Sequence, residues 1–169
     1  EAGLRLLDEK PRTGAGRTFS AGGSYEDFEG RRVDPARRRR SLRLARRLFD
    51  EMIDYIESHD LSEDENYHHV ETLIDIDELI DYLCLEIYFD NGDWPGNNVK
   101  LWRTREPDGK WRWILYDLDV GFGHPNFPSS PDHDKLALAT HPDKAGWGNY
   151  GPWSTFIFRH LLENETFRN

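Results

Sequence analysis

The stretch from Asp90 to Gly123, DNGDWPGNNVKLWRTREPDGKWRWILYDLDVGFG, leaves little choice of local fold. Asn91-Gly92 supplies a left-handed turn that ends a helix, and Pro95-Gly96 holds the loop that follows. Val99 to Arg103 alternates apolar and polar residues, and Trp111 to Tyr116 is rich in strand-favouring side chains. Asp108-Gly109 between them makes a hairpin turn, so the expected order is helix, loop, hairpin. The loop carries Asp93 and, five positions on, Asn98; the hairpin ends in Asp117-Leu-Asp119. Asp117 and Asp119 share parity on an extended segment and should face one way, together with Trp111 and Trp113. Carboxylate and carboxamide oxygens are hard ligands, which suit a magnesium ion that keeps several of its waters.

A loop Asp, an Asn five residues later and an Asp after a following hairpin recur in that order in phosphotransferases of the protein kinase type. The runs DWPGNNVKLWR and GKWRWILYDLDVGFG carry a closer likeness: they resemble the spore coat protein H (CotH) kinase family, an atypical branch of the protein kinase fold. The resemblance is close over residues 72 to 123. It is weaker from Trp153 to Arg168, where LLENETFRN resembles the family's helix beyond the active site. It implies ATP and Mg2+, or Mn2+, as cofactors, and a protein substrate with Ser or Thr acceptors. Asp93 then corresponds to the carboxylate that accepts or orients the acceptor proton, and Asn98 to a metal ligand. GFG favours Asp117 as the main metal carboxylate, whereas the Asp-Val-Gly run favours Asp119, and both are kept as metal-site residues. The resemblance also points to a bacterial spore coat or a cell-surface or secreted setting.

Elsewhere the chain reads as mainly helical α+β. Residues 1 to 33 are expected to be irregular, with glycines at 14, 16, 22, 23 and 30. Asp34-Pro35 fits a helix start, and Leu42, Ala45, Phe49, Met52, Ile53 and Ile56 recur at helical spacing to about Ser58. A short acidic connection, SEDEN, leads to a helix beginning at Asp75 or Asp77, with Ile76, Leu79, Ile80, Leu83 and Ile87 on its apolar face. After Gly123 the chain to Pro152 has no period and is expected to be an irregular loop over the site. Ser154 should cap a last helix that turns Ile157, Phe158, Leu161 and Leu162 inward.

A chain of 169 residues with 37% hydrophobic content can bury one core, so one unit is expected. The formal charge of −10 argues against a general nucleic-acid binder, since a phosphate backbone would be repelled at long range, and leaves room only for a local basic patch. No apolar run is long enough to span a bilayer. Cys84 is the single cysteine, which excludes an internal disulfide and a cysteine-based zinc site.

Each candidate has a plainer reading beside it. Asp93 alone would be a turn residue bonding its own loop, and two nearby Asp often only end a strand. Trp111 and Trp113 are candidates to stack on adenine, with a core position as the alternative. Nine arginines between Arg31 and Arg47 read as a solvated helix face paired to nearby carboxylates rather than a docking surface. His68-His69 and Asp132-His133-Asp134 lack helical metal spacing and read as exposed loop residues. There is no Gly-rich loop between strands and no strand-borne Lys ahead of a helix Glu. The chain therefore looks like the large lobe of a kinase-like domain, with the small lobe missing. Two rivals stay open: the same fold transferring AMP or glutamate, and a non-catalytic surface or adhesion module.

Overall fold

The computed structural model describes the backbone of residues 4–9, 19–20, 34–123, 133–141 and 152–169. The elements in chain order are β1 (Leu4–Glu9), β2 (Phe19–Ser20), α1 (Pro35–Ser58), α2 (Asp64–Leu73), α3 (Ile76–Tyr88), β3 (Lys100–Arg103), β4 (Arg112–Trp113), α4 (Lys135–Thr140), a 3₁₀ turn (Pro152–Thr155), α5 (Phe156–Leu161) and α6 (Glu165–Arg168). This is a mainly helical α+β architecture with one small antiparallel sheet in the order β2-β1-β3-β4.

The long first helix forms where the sequence places it. Asp34 accepts a hydrogen bond from the Ala36 amide at 3.3 Å, and Pro35 occupies the first helical position, where its missing N–H costs nothing. Ala45, Phe49, Met52, Ile53 and Ile56 are buried, one stripe of α1. The opposite face carries arginines, of which Arg46 and Arg47 pair with Asp50 and Glu51 one turn on. Those exposed pairs match the reading of a solvated face.

Helix α3 is fixed to the hairpin at its start. The Asp75 amide donates to the Trp111 carbonyl at 3.0 Å, and the Trp111 amide to the Leu73 carbonyl at 2.8 Å, a parallel bridge between Ile74 and Trp111. Asp75 sits at the N-cap position, yet its carboxylate is taken by Arg112 Nε at 2.7 Å. Glu78, one turn in, accepts from the Trp113 amide at 2.9 Å. The core then closes around Trp111, which meets Phe49 edge-on with ring centroids 5.6 Å apart. At the far end Asn164 donates to the Leu61 carbonyl at 3.0 Å, which ties the C-terminal helices to the corner between α1 and α2.

Several expectations are corrected. Residues 1–33 are not irregular throughout, because Leu4–Glu9 pairs antiparallel with β3 and gives that strand's outer edge a partner. The acidic connection is shorter than expected: Asp64 begins helix α2, whose first turn carries Asp64 and Glu65 where the helix dipole favours them, and whose Tyr67 and Val70 are buried. The second strand stops at Trp113 rather than running to Tyr116. The segment expected to be irregular from residue 124 to 152 contains α4; its other residues, 124–132 and 142–151, lie outside the described residues. Ser154 does not cap the last helix, since it lies in the 3₁₀ turn and Thr155 holds the N-cap position of α5. No helix among the described residues is long and apolar enough to cross a membrane.

Candidate active site

Helix α3 ends at Tyr88, and the chain turns through Asp90, whose φ of 47° supplies the left-handed step expected of Asn91-Gly92. Asn91 is instead drawn inward: it is fully buried, and its Nδ2 donates to Glu86 Oε2 at 2.7 Å. Its Oδ1 accepts from the Asp93 amide at 3.3 Å, so Asn91 sets the direction in which the loop leaves. The loop then folds over itself through a cis Trp94–Pro95 peptide and a backbone bond from Asn97 N to Asp93 O of 2.8 Å.

Asp93 is held by side chains rather than by its own backbone. Its Oδ2 accepts from Asn97 Nδ2 at 3.3 Å and from Asn98 Nδ2 at 3.1 Å. Asn98 takes a left-handed φ of 57°, a conformation Asn tolerates better than most residues. With Nδ2 committed to Asp93, the amide oxygen of Asn98 is left as a neutral hard ligand. Asp93 and Asn98, predicted from their spacing, are thus in direct contact.

The Asp117-Leu-Asp119 segment comes beside this loop through backbone bonds. The Gly92 amide donates to the Val120 carbonyl at 3.2 Å, and the Phe122 amide to the Phe89 carbonyl at 2.8 Å. The expected alternation of faces does not carry this far. Beyond the Ile114 amide, which bonds to the Lys100 carbonyl at 2.9 Å, the strand is over, and Asp117 itself has a φ of 60°. Both Asp117 and Asp119 are exposed, and neither is engaged by a hydrogen bond or ion pair among the described residues. Four non-glycine residues with left-handed φ, Asp90, Asn98, Asp117 and Phe122, flank these two segments. Such backbone costs about 1–3 kcal/mol per residue and concentrates at functional sites.

The tryptophans lie elsewhere. Trp111 is 1% exposed and enclosed by the core, with its Nε1 unpaired, so it presents no ring face to a nucleotide. Trp113 is also buried; it lines an apolar cleft of about 310 Å³ with Trp94, Leu79, Leu101 and Phe158. The face expected to join both indoles to Asp117 is not formed, because the strand that would impose it ends at Trp113.

Beneath the loop is a polar cluster that the spacing of motifs did not reveal. Lys135, the first residue of α4, is 3% exposed and donates from Nζ to the Asn91 carbonyl at 2.6 Å. Burial pushes the Lys135 ammonium down, while Asp90, Glu86 and Asp93 act to hold its charge. Burial raises Glu86 to about 7, opposed first by its bond from Asn91, then by Tyr82 and Lys135. Glu86 Oε1 and the Tyr82 hydroxyl have no hydrogen-bond partner among the described residues. His133 is half-buried rather than exposed, with Nδ1 2.7 Å from Asp90 Oδ1. His68 and His69 are exposed as expected, although on helix α2. The sequence signal for the cluster was faint: a Glu on the apolar face of α3 and a Lys heading the short apolar run LALA.

Among the described residues no three His, Cys, Asp or Glu side chains form a preassembled metal cage. Asn98, Asp117 and Asp119 each carry oxygen donors of the hard type that magnesium accepts while completing its shell with water and phosphate. A family model described as CotH kinase protein matches residues 37–169. No curated protein and no solved structure matches the chain.

Proposed function

The chain belongs to the CotH kinase family, and from that premise we propose that it forms the metal-site lobe of an ATP-dependent kinase acting on Ser or Thr hydroxyls of a protein substrate. The observation that carries this reading is the meeting of two short segments. Asp93 is gripped by Asn98, and the Asp117–Asp119 segment is stitched to the same loop by the Gly92–Val120 bond. A structural turn needs neither the paired amides on one carboxylate oxygen nor two uncommitted aspartates beside it.

In this reading Asp93 accepts the proton of the acceptor hydroxyl as that oxygen bonds to the γ-phosphorus and the bond to the β–γ bridging oxygen breaks. The task needs reach and orientation more than a shifted pKa, and the Asn97 and Asn98 amides provide orientation. Asn98, Asp117 and Asp119 would hold magnesium, which when bound offsets the charge of the nucleotide phosphates. The exposure of both aspartates leaves their oxygens accessible to such an ion. Trp111 is left out of nucleotide binding because it is enclosed.

The test is magnesium-dependent transfer of labelled γ-phosphate by the intact protein to a mixed protein substrate, with Asp93→Ala and Asp117→Ala in parallel. Loss of at least about 100-fold in both variants is expected if proton handling and metal binding are both removed. Labelling that survives both substitutions overturns the assignment. ATP binding without transfer of phosphate points instead to a different transferred group, read from the mass of the product.

A further inference from the structure

Lys135 stands 44 positions from the residue it holds and comes from a different element. Burying an ammonium is costly, and an apolar side chain of similar volume would fill the space more cheaply. What the lysine alone provides is a strong, charge-assisted donor to one backbone carbonyl, that of Asn91. The same Asn91 is fixed from the other side by Glu86 and in turn bonds the Asp93 amide. Lys135, Asn91 and Glu86 thus form a chain of contacts from α4 to α3 whose middle member, Asn91, lies at the loop base two residues before Asp93. Trp94, the residue after Asp93, has its ring centroid 5.8 Å from the same ammonium. The clamp therefore grips the loop on both sides of the aspartate.

We propose that Lys135 is a positioning residue for phosphoryl transfer: by holding the Asn91 carbonyl it fixes the base of the loop, and through it the direction in which the Asp93 carboxylate is presented. The proposal rests on Asp93 being the catalytic carboxylate. It assigns to α4 a role in the chemistry without contact with substrate. Displacement of a catalytic group by about 1 Å costs on the order of 100-fold in rate, so a lost anchor at the loop base should appear in turnover.

The test is a double-mutant cycle in the intact protein with Lys135→Met, Asp93→Asn and the pair, measuring kcat, KM for ATP and the melting temperature. Lys135→Met is expected to lower kcat by about 10- to 100-fold while leaving KM for ATP within about threefold, since the clamp acts on the acceptor side. In the Asp93→Asn background it should cost no further rate, because the group it positions is gone. An unchanged kcat, or an equal multiplicative loss in both backgrounds, overturns the positioning role while leaving Asp93 as the catalytic group. Activity that survives Asp93→Asn takes down both readings. If Lys135→Met fails to fold, Lys135→Arg is read in the same cycle: it keeps a charged donor and must show a smaller kcat loss that again vanishes in the Asp93→Asn background. A loss that persists there overturns the proposal.

Discussion

Replacing Glu86 by Gln should make the protein more stable at pH 8 and leave it nearly unchanged at pH 4. Glu86 is fully buried on α3, and burial raises it from 4.5 to about 7. Below pH 4.5 the carboxyl keeps its proton in both folded and unfolded chains and contributes no pH dependence. Between 4.5 and 7 the unfolded chain releases the proton while the folded one retains it, so stability falls as pH rises. Above 7 both are ionised and the loss is complete. A shift of roughly 2.5 units at 1.36 kcal/mol per unit gives about 3 kcal/mol. Urea unfolding followed by tryptophan fluorescence from pH 4 to 8 reads this directly, because Glu86→Gln removes the titration and preserves the shape. The difference between the two proteins should grow from near zero to about 3 kcal/mol, with its midpoint between 5 and 7. Adding Lys135→Met to the native Glu86 protein removes a cation that favours the ionised form, so the midpoint should move to higher pH. A difference that stays constant across the range would refute the reasoning.

Other substitutions test the frame of the site. A Cβ at Gly109 would stand 2.5 Å from Thr104 Oγ1 and 2.7 Å from the Thr104 carbonyl oxygen. Gly109→Ala should therefore cost about 1–3 kcal/mol in urea unfolding, and an unchanged midpoint would show that the hairpin connection yields easily. At Gly121 the added Cβ meets the Phe89 carbonyl oxygen at 2.9 Å, next to the bond that seats the Asp119 segment. Gly121→Ala is expected to reduce phosphate transfer more than tenfold, through a displacement on the order of 1 Å; full activity would mean the two segments need not be so close. Arg47→Ala removes an exposed pair with Glu51 and should change stability by less than about 0.5 kcal/mol, read from the thermal midpoint.

Where one periodicity governed a long run, the sequence was legible. Helix α1 follows from its cap, its proline and a stripe of apolar residues, and α3 and β3 follow similarly from local pattern. Asp93 and Asn98 were legible because their spacing and their contact lie within one loop. The clamp was not, since Lys135 reaches Asn91 across 44 positions and nothing in LALAT marks the lysine as buried. Helix α2 was missed because Asp64 and Glu65 look like linker until the dipole of the helix they begin is considered. The parity of Trp111, Trp113 and Asp117 misled for a definite reason: alternation holds only while the strand lasts, and the left-handed residue at 117 breaks it.

The bond from Asn164 to the Leu61 carbonyl joins positions 103 residues apart, and Leu61 is fully buried. During synthesis α1 and α2 leave the ribosome long before Asn164 does. Until then water serves the Leu61 carbonyl, and the net gain of exchanging that water for the Asn164 amide, about 0.5–1.5 kcal/mol, is still to come. The first two helices can begin to pair as they emerge, but their junction reaches its final strength only after the loop of Asp93 and the hairpin have been added. The last helices thus act as a lock on the order of assembly, applied to an earlier corner by a segment made 103 residues later.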